Sequence, residues 1–574
     1  MDSHYFKEEL KRLREISVEF AQRNPVLAPA LELASSDPDV ERLLEGTAFL
    51  TAGIQQKLDD DYPQLLHHLA QVLQPNIMQP VPAATIIQFS ANRGCNEKIE
   101  VKKGTPLESE EVGGSVFRFS TCYQTSVWPL SVTTVEKVVE GEGGASAVTV
   151  RVVLDSGGIP LQTLNIDRLR FYLGGDYGGA TDLYALLLHT LLSVRVVAEG
   201  GDTTTLQAKS LTAAGFAEDE LLLPGDDDDL SVFNQIHDFF HFPEKFLFFD
   251  LDLSSWTRRA GSRFELLFDL LPTTTPIPPL SPSRFILNAT PALNLYSCDA
   301  ESILIDHHQS DYPLQLRADN PNASLFAVEQ VRGVRRGEKL KRIYRSYRQF
   351  ALEGGGGALY HLKQRRDGAA GAFSLVPTYS RRTALEAGEV LQIKLMATDG
   401  VAAQRVQPGQ ITRHAMGTPQ RVTFSNLLTP KGARGVPAES SLLWHLTSHL
   451  SLQRKSVLSS ATLQGYLNHY ANLAAMTSAN SEIARSRIEA ISDLRVTTSD
   501  RLFSGRFYRG QSIEVDLRRD PFISFGDRYL FGSILKELYQ SLTPMNYYSG
   551  FTMCDPEQEE GIQWPVHLGT EPLN

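Results

Sequence analysis

The most regular alternation of hydrophobic and polar positions lies between Asp37 and Pro75. Apolar residues recur there every three or four positions, which is the spacing of a helix and not of a strand. Asp37 can cap a helix start, and Pro38 suits the first turn because its missing amide hydrogen would have no partner there. The first predicted helix carries an apolar stripe on Val40, Leu43, Leu44, Thr47 or Ala48, Leu50, Ile54 and Leu58.

A second helix is predicted from Pro63 to Leu73. Aspartates at positions 59–61 precede it, and carboxylates stabilise a helix start through the helix dipole. Its apolar positions are Leu65, Leu66, Leu69, Val72 and Leu73. Helices with apolar stripes, followed by a long β-rich chain, indicate a module that docks onto other polypeptides. The alternative is an ordinary intramolecular helical subdomain, which periodicity alone favours.

Two further regions repeat the helical spacing. The first is His4–Asn24, with apolar positions Phe6, Leu10, Leu13 and Phe20. The second starts after Pro437, where Ser440–Leu452 carries Leu443, Leu446 and Leu450, and Ala461–Thr477 and Asn480–Leu494 continue the rhythm. These stripes extend the set of predicted partner-binding positions.

From Val81 the period changes to two, in short β-branched or aromatic runs separated by Gly, Pro and Asp. Near the carboxyl end, strand-like Gly510–Leu517, helix-like Arg528–Leu542 and strand-like Met545–Met553 predict a β-α-β unit. We therefore predict an α+β multidomain fold with N-terminal helices, β-sandwich-like middle domains, a second helical block and a small α+β C-terminal domain. The predicted boundaries are 1–80, 81–272, 273–436, 437–500 and 501–574.

Composition narrows the function. A chain of 574 residues with 42% hydrophobic residues is globular and too long for one core. It has no apolar run of membrane-spanning length and no apolar signal-peptide core, so we expect a cytoplasmic protein without membrane insertion. Its formal net charge of -12 argues against nucleic-acid binding. The four cysteines are widely separated, which predicts buried free thiols and neither a disulfide framework nor a zinc cluster.

Candidate chemistry is sparse. Asp306-His307-His308 invites a metal or general-base interpretation, but neighbouring strand residues point to opposite faces, which favours ordinary histidines. The acidic run Pro224–Asp229 lacks the ligand spacing of a calcium loop. Eight basic residues within Arg332–Arg348 favour a solvated edge or a contact with an acidic neighbouring subunit over nucleic acid. No nucleophile elbow, dinucleotide fingerprint or phosphate loop is present, so we predict a scaffold without catalytic residues, cofactor or metal.

Five stretches, in order, resemble the TssF (VasA/ImpG) family of the type VI secretion system. They are Asp37–Pro75 together with His4–Pro25, then Phe285–Tyr296, Ser441–Leu452, Arg509–Leu517 and Tyr529–Asn546. The resemblance covers essentially the whole chain, and long ordered agreement is more specific than any short motif. One departure is Ser451–Leu458, where the family pattern is more apolar.

The resemblance implies a structural subunit of the baseplate wedge. Two TssF copies would join one TssG, TssK would bind this assembly, and TssE would also belong to the wedge. Wedges would surround the VgrG spike and provide the platform on which the Hcp tube and the sheath start, at the inner face of the cell envelope. The helical stripes at both predicted helical blocks would supply the contacts between chains.

Two other classes stay open from the residues alone. A β-sandwich tail or carbohydrate-binding protein would need extracellular exposure, which a chain without a signal peptide does not support. An uncharacterised hydrolase would need a buried, perturbed carboxylate or histidine pair in a cleft, and Asp306 with His307 is the first such pair to test.

Overall fold

The structure is a computed structural model. It describes residues 3–23, 42–54, 79–140, 147–223, 231–335, 341–347, 358–365, 372–379, 388–435, 458–474 and 478–569, without residues 93, 258, 274, 319, 504 and 557. The predicted helices Pro63–Leu73 and Ser440–Leu452, and the acidic run Pro224–Asp229, lie outside these residues.

Most of the described helices fall on stretches whose hydrophobic spacing predicts a helix. In chain order, α1 to α7 are Ser3–Arg23, 42–54, Tyr177–His189, Ser231–His241, Ser460–Ala474, Ser478–Glu489 and Phe525–Ser541. Short 3-10 helices lie at Leu161–Thr163, Ala208–Ser210, Glu218–Glu220, Pro243–Phe246, Pro282–Arg284 and Gly400–Arg405. The helix predicted at His4–Asn24 corresponds to α1. The helical prediction for Asn480–Leu494 is wrong beyond Glu489, because the following residues alternate apolar and polar and pair as a strand.

The strands are numbered β1 to β30. They are Ala84–Ala91, Ile99–Val101, Pro106–Val112, Ser115–Thr121, Thr125–Val127, Ser131–Glu140, Ala147–Asp155, Arg168–Leu173, Leu191–Ala198, Thr203–Gln207, Leu211–Ala214, Phe248–Asp252, Arg263–Leu270, Phe285–Leu287, Ala289–Leu293, Tyr296–Asp299, Ile303–Ile305, Tyr312–Pro313, Ser324–Arg335, Arg342–Ser346, Ala358–Gln364, Phe373–Tyr379, Glu389–Thr398, Ile411–His414, Val422–Asn426, Ile491–Phe503, Arg506–Leu517, Tyr547–Asp555, Gln558–Gln563 and His567–Leu568.

A six-stranded sheet joins distant parts of the chain in the order β24-β3-β4-β15-β1-β25. Strand β1 pairs antiparallel with β25, placing Phe89 opposite Phe424 with ring centroids 5.7 Å apart. It also pairs with β15 on its other side. This sheet contains strands from both 81–272 and 273–436. The predicted boundary at residue 272 therefore does not separate two sheets.

Two further sheets enclose the largest aromatic core. Their orders are β10-β9-β13-β7-β6 and β11-β12-β8-β14. Strands β9 and β10 form an antiparallel hairpin. Phe171 stacks on Phe249 at 5.2 Å, and Phe285 meets Phe171 edge-on at 6.2 Å. The dense aromatic residues between Phe239 and Leu253 belong to this core.

An eight-stranded sheet has its own core. Its order is β16-β23-β19-β20-β21-β22-β18, with β17 also paired to β23. Leu375, Leu391 and Leu395 are fully buried on the inner face. On β23 buried and exposed residues alternate from Glu389 to Lys394, so the other face of that part of the sheet meets solvent.

The carboxyl-terminal sheet runs β26-β27-β28-β29, with β30 on β28. Strands β27 and β28 are parallel and α7 connects them, which is the predicted β-α-β unit. The hairpin of β26 and β27 spans the predicted boundary at residue 500. Helix α7 packs on α3, so this unit shares one continuous core with the middle sheets. The predicted α+β multidomain class is confirmed.

Candidate interaction surfaces

Helix α2 has two apolar faces of opposite character. Ala48 and Ala52 are 0% exposed, whereas Leu43, Leu50 and Ile54 are 73%, 67% and 61% exposed. At about 100° per residue the three large side chains share one face, and the two alanines lie on the opposite side. The chain's own fold therefore covers the small residues and leaves the large ones to solvent.

The predicted single stripe on this helix needs correction. The stripe admits Thr47 or Ala48 at its middle position; Ala48 belongs to the buried face, whereas Thr47 is exposed on the face of Leu43 and Leu50. Leu44 is half-buried between the two faces. Val40, Leu58, Leu66, Leu69, Leu73, Leu443, Leu446 and Leu450 lie outside the described residues, so their role stays a prediction. The signal that could have separated the faces is the i, i+4 spacing of two alanines, because small residues permit close helix approach.

Helix α1 buries its predicted stripe only in part. Phe6, Leu10 and Leu13 are half-buried, and the side chain of Phe20 lies outside the described residues. Exposed ion pairs on the other side join Lys11 to Glu15 at 3.9 Å, and contribute little to stability. The structure thus leaves the stripe of α1 partly accessible.

A buried ion pair fixes the carboxyl-terminal unit against the middle of the chain. Asp527, in the first turn of α7, is fully buried and accepts a 2.8 Å hydrogen bond from Arg487 on α6. The hydroxyl of Tyr177 on α3 donates to the same carboxylate at 3.0 Å. A side chain on Gly526 would collide with the Thr181 carbonyl of α3. Sequence reasoning missed Asp527 because nothing local marks its burial.

A second buried charge cluster surrounds α4. Lys245 is fully buried, where its ammonium group contacts the Asp238 carboxylate and donates to the Glu220 carbonyl at 3.1 Å. Burial opposes ionisation of Asp238, but the charge of Lys245 prevails and lowers the pKa of Asp238 to about 2. On the same helix, burial lowers the pKa of His241 to about 3. The Lys245 ammonium group and the Asp238 carboxylate compensate each other inside the core, so removing either partner alone would leave an uncompensated buried charge.

The basic segment Arg332–Arg348 divides between the two faces of its sheet. Arg335 and Arg342 lie 3.6 Å and 3.7 Å from Glu389, which is 2% exposed. The hydroxyl of Tyr344 donates to the same carboxylate at 2.9 Å. Gly333 makes room for it, since a Cβ there would collide with Glu389. Part of the basic segment is therefore neutralised within the chain by Glu389, an acid whose burial no local pattern predicts.

The candidate catalytic pair has no cleft. Asp306, His307 and His308 lie in an exposed bend after β17. The Asp306 carboxylate accepts from the His308 amide at 3.0 Å and from the Tyr312 hydroxyl at 3.1 Å. The first of these bonds holds the pKa of Asp306 below its usual value. Within the described parts of the chain, no cluster of three or more His, Cys, Asp or Glu side chains could hold a metal ion.

A polar cavity of about 420 Å³ opens beside β8 and β12. Arg170 occupies its wall and is held by Asp250 at 2.7 Å and by Glu220 at 2.6 Å. Its charges are already matched, so the cavity offers ion pairs and not a poised acid or base. All four thiols are free. Cys122 and Cys298 are buried as predicted, whereas Cys95 and Cys554 are half-buried, so the prediction of burial is wrong for these two.

Comparison with known proteins assigns the chain to a family. The family described as "Type VI secretion system, TssF" matches residues 3–571. The chain belongs to the TssF family. The suspected resemblance is thus confirmed over nearly the whole chain. As a TssF-family member it is a structural component of the type VI secretion system and not an enzyme.

Individual TssF relatives agree with this assignment. The type VI secretion system component TssF1 of Pseudomonas aeruginosa is 25% identical, over 99% of this chain and 98% of its own. A chain of a TssK-TssF-TssG baseplate subcomplex solved by cryo-electron microscopy has a TM-score of 0.78 at 23% identity, over 92% of this chain and 98% of that one. A chain of a type VI secretion baseplate complex has a TM-score of 0.57 at 21% identity, over 99% and 100%. They show the shared fold.

None of the described helices is long and apolar enough to cross a membrane.

Proposed function

We propose that this chain is a wedge subunit of the type VI secretion baseplate, which acts in the cytoplasm by holding TssG and TssK in place. The observation that carries the proposal is the outward face of α2, where Leu43, Leu50 and Ile54 are exposed. Large apolar side chains on one helix face are stabilised when a second polypeptide covers them. The similarity to a chain of a TssK-TssF-TssG subcomplex supports the choice of partners.

We extend the proposal to the finer arrangement that the resemblance to the family implies. Two copies of this chain join one TssG, while TssK and TssE bind the resulting wedge. Wedges arranged around the VgrG spike form the platform on which the Hcp tube and the sheath begin. The half-buried stripe of α1 and the stripes predicted at Leu66–Leu73 and Leu443–Leu450 add contacts between chains. Co-expression with TssG and mass measurement tests the stoichiometry, and a two-to-one complex is expected.

The helix-face contact is tested by placing charge on it. In the double variant Leu43→Asp/Leu50→Asp, each carboxylate must be desolvated in any interface, so we expect TssG co-purification to be lost. The isolated chain should keep its thermal stability because both positions are exposed. The matched control is Met416→Asp, which changes a 98% exposed apolar residue on another part of the surface. Normal TssG binding by the double variant would contradict the proposal.

A further inference from the structure

The solvent face formed by β17, β23, β19 and β20 combines apolar and cationic residues. Leu304 on β17 is the cross-strand neighbour of Val390 on β23, and Val390 is the neighbour of Val334 on β19. Arg332 then lies between Gln392 and Ile343 in the next row. We call this the cationic sheet face, and define it by Leu304, Arg332, Val334, Lys341, Ile343, Arg345, Val390 and Lys394.

Large apolar side chains on this face are exposed to an unusual degree for a strand. Leu304 and Ile343 are each 60% exposed, and Val390 is also exposed. A sheet face with aliphatic residues in adjacent rows loses unfavourable contact with water when another surface covers it. The aliphatic rows would therefore form the centre of an interface and the charged residues its rim.

The rim charges are mostly positive. Arg332, Lys341, Arg345 and Lys394 are all exposed on the described strands and their connections. Among the described residues, acidic side chains border this face at the β16 margin, where Asp299 is the cross-strand neighbour of Lys394 and Glu329 contacts Ser297, and at Asp306, two residues beyond Leu304. This concentration of cations stands out on a chain of net charge -12.

The opposite side of the sheet explains why this arrangement is rigid. Arg335 and Arg342 point inward and share the buried carboxylate of Glu389, which ties β19 and β20 to β23. The inward pair is engaged within the chain, and the strand register fixes the backbone positions from which the outward cations project. A sheet backbone that is already ordered loses little freedom on binding.

We propose that the cationic sheet face binds an acidic segment of a partner protein that also inserts an aliphatic or aromatic side chain between Leu304 and Ile343. The proposal rests on the proposed function, because it assigns one further contact of the same assembly. A protein segment suits the surface better than a nucleic acid. The aliphatic rows bury apolar side chains, which a phosphate backbone lacks, and the overall negative charge repels nucleic acid.

Site-specific crosslinking in the full chain tests the proposal. Ile343 is replaced by a photo-crosslinking phenylalanine analogue in cells that express the secretion system, and the crosslinked peptide is sequenced. We expect a protein segment with an excess of Asp and Glu over Lys and Arg. The reference position is Met416, whose side chain is 98% exposed on a different sheet edge.

Charge reversal supplies the second arm. Arg332→Glu/Arg345→Glu should lower the crosslink yield by at least about tenfold, because like charges then face the acidic segment. The matched control Arg413→Glu/Arg421→Glu makes the same charge change at exposed arginines away from this face and should leave the yield unchanged. Circular dichroism verifies folding, and raised salt should weaken the wild-type crosslink without any substitution.

The outcomes are decisive in either direction. A nucleic-acid adduct, a peptide without acidic excess, a yield no higher than at position 416, or a yield unaffected by charge reversal and salt would overturn the proposal. TssG co-purification is measured in parallel. If the wild-type chain fails to bind TssG, the proposed function fails. If Arg332→Glu/Arg345→Glu binds TssG normally but loses the crosslink, both inferences stand.

Discussion

Helices α2 and α7 show how one chain divides its apolar surface between itself and others. Helix α7 is buried on nearly all sides, including the charged Asp527 and Arg528, and each of these has an internal partner. Helix α2 buries alanines and exposes leucines and isoleucine. The difference shows that large apolar residues can lie on the surface, and that small or charged residues can lie in the core.

The largest loss of stability is expected when the buried ion pair of α7 is removed. Asp527→Ala removes the acceptor of Arg487 and Tyr177, and leaves a buried guanidinium without its carboxylate. We expect a loss of about 3–5 kcal/mol in the unfolding free energy of the carboxyl-terminal unit. Hydrogen exchange of the α7 amides measures it. Asp520→Ala, at an exposed carboxylate, is the control and should change it by less than about 0.5 kcal/mol. Equal protection in both variants would refute the role of the pair.

Acid should weaken the core and spare the exposed face of α2. His241 is buried, and its Nε2 lies 3.0 Å from the Pro82 carbonyl oxygen. Burial lowers its pKa to about 3 in the folded chain, so the neutral form is favoured there. The unfolded chain takes up the proton below about pH 6.5, and stability is therefore full above that pH and falls as the pH drops toward 3.

The expected loss from His241 is about 2 kcal/mol between pH 6.5 and 4.5, because the slope approaches about 1.4 kcal/mol per pH unit only below the pKa of the unfolded histidine. Urea denaturation across that range measures it. His241→Gln should remove this part of the slope, whereas His308→Gln, at an exposed histidine, should retain it. An unchanged slope in His241→Gln would mean that another group carries the pH dependence.

The two faces of α2 are separated by opposite substitutions. Ala48→Leu forces extra volume into the buried face and should cost about 1–3 kcal/mol of stability. Leu50→Ala removes an exposed side chain and should alter the stability of the isolated chain by less than about 0.5 kcal/mol. The same Leu50→Ala change should weaken TssG binding by about tenfold if this leucine is an anchor. Thermal unfolding and a binding titration measure the two effects, and a reversed order of stabilities would contradict the assignment of faces.

Local patterns predicted the local structure well. The β-α-β unit follows from a period of two around Ile513 and a helical period around Leu535, and both need only neighbouring residues. The pairing of Phe89 with Phe424 could not be predicted, because no local signal links strands more than three hundred residues apart.

The site residues also divide into those that local spacing predicts and those whose partners are distant in sequence. The leucines of α2 were predicted as partner-binding positions from their spacing alone, and the spacing also holds Ala48 on the opposite side. Glu389 and Asp527 were missed, since acidic residues are normally exposed and their partners come from elsewhere in the fold. Buried charge pairs form between residues that the fold brings together, so the periodicity of the sequence does not predict them.

The central claim is that the outward face of α2 becomes buried against TssG. Maleimide labelling of Leu50→Cys, followed by mass spectrometry of the peptide that contains position 50, tests it most directly. We expect rapid labelling in the isolated chain and at least about tenfold slower labelling in the complex with TssG, because a covered thiol is inaccessible. Labelling at the same rate in both states would contradict the account.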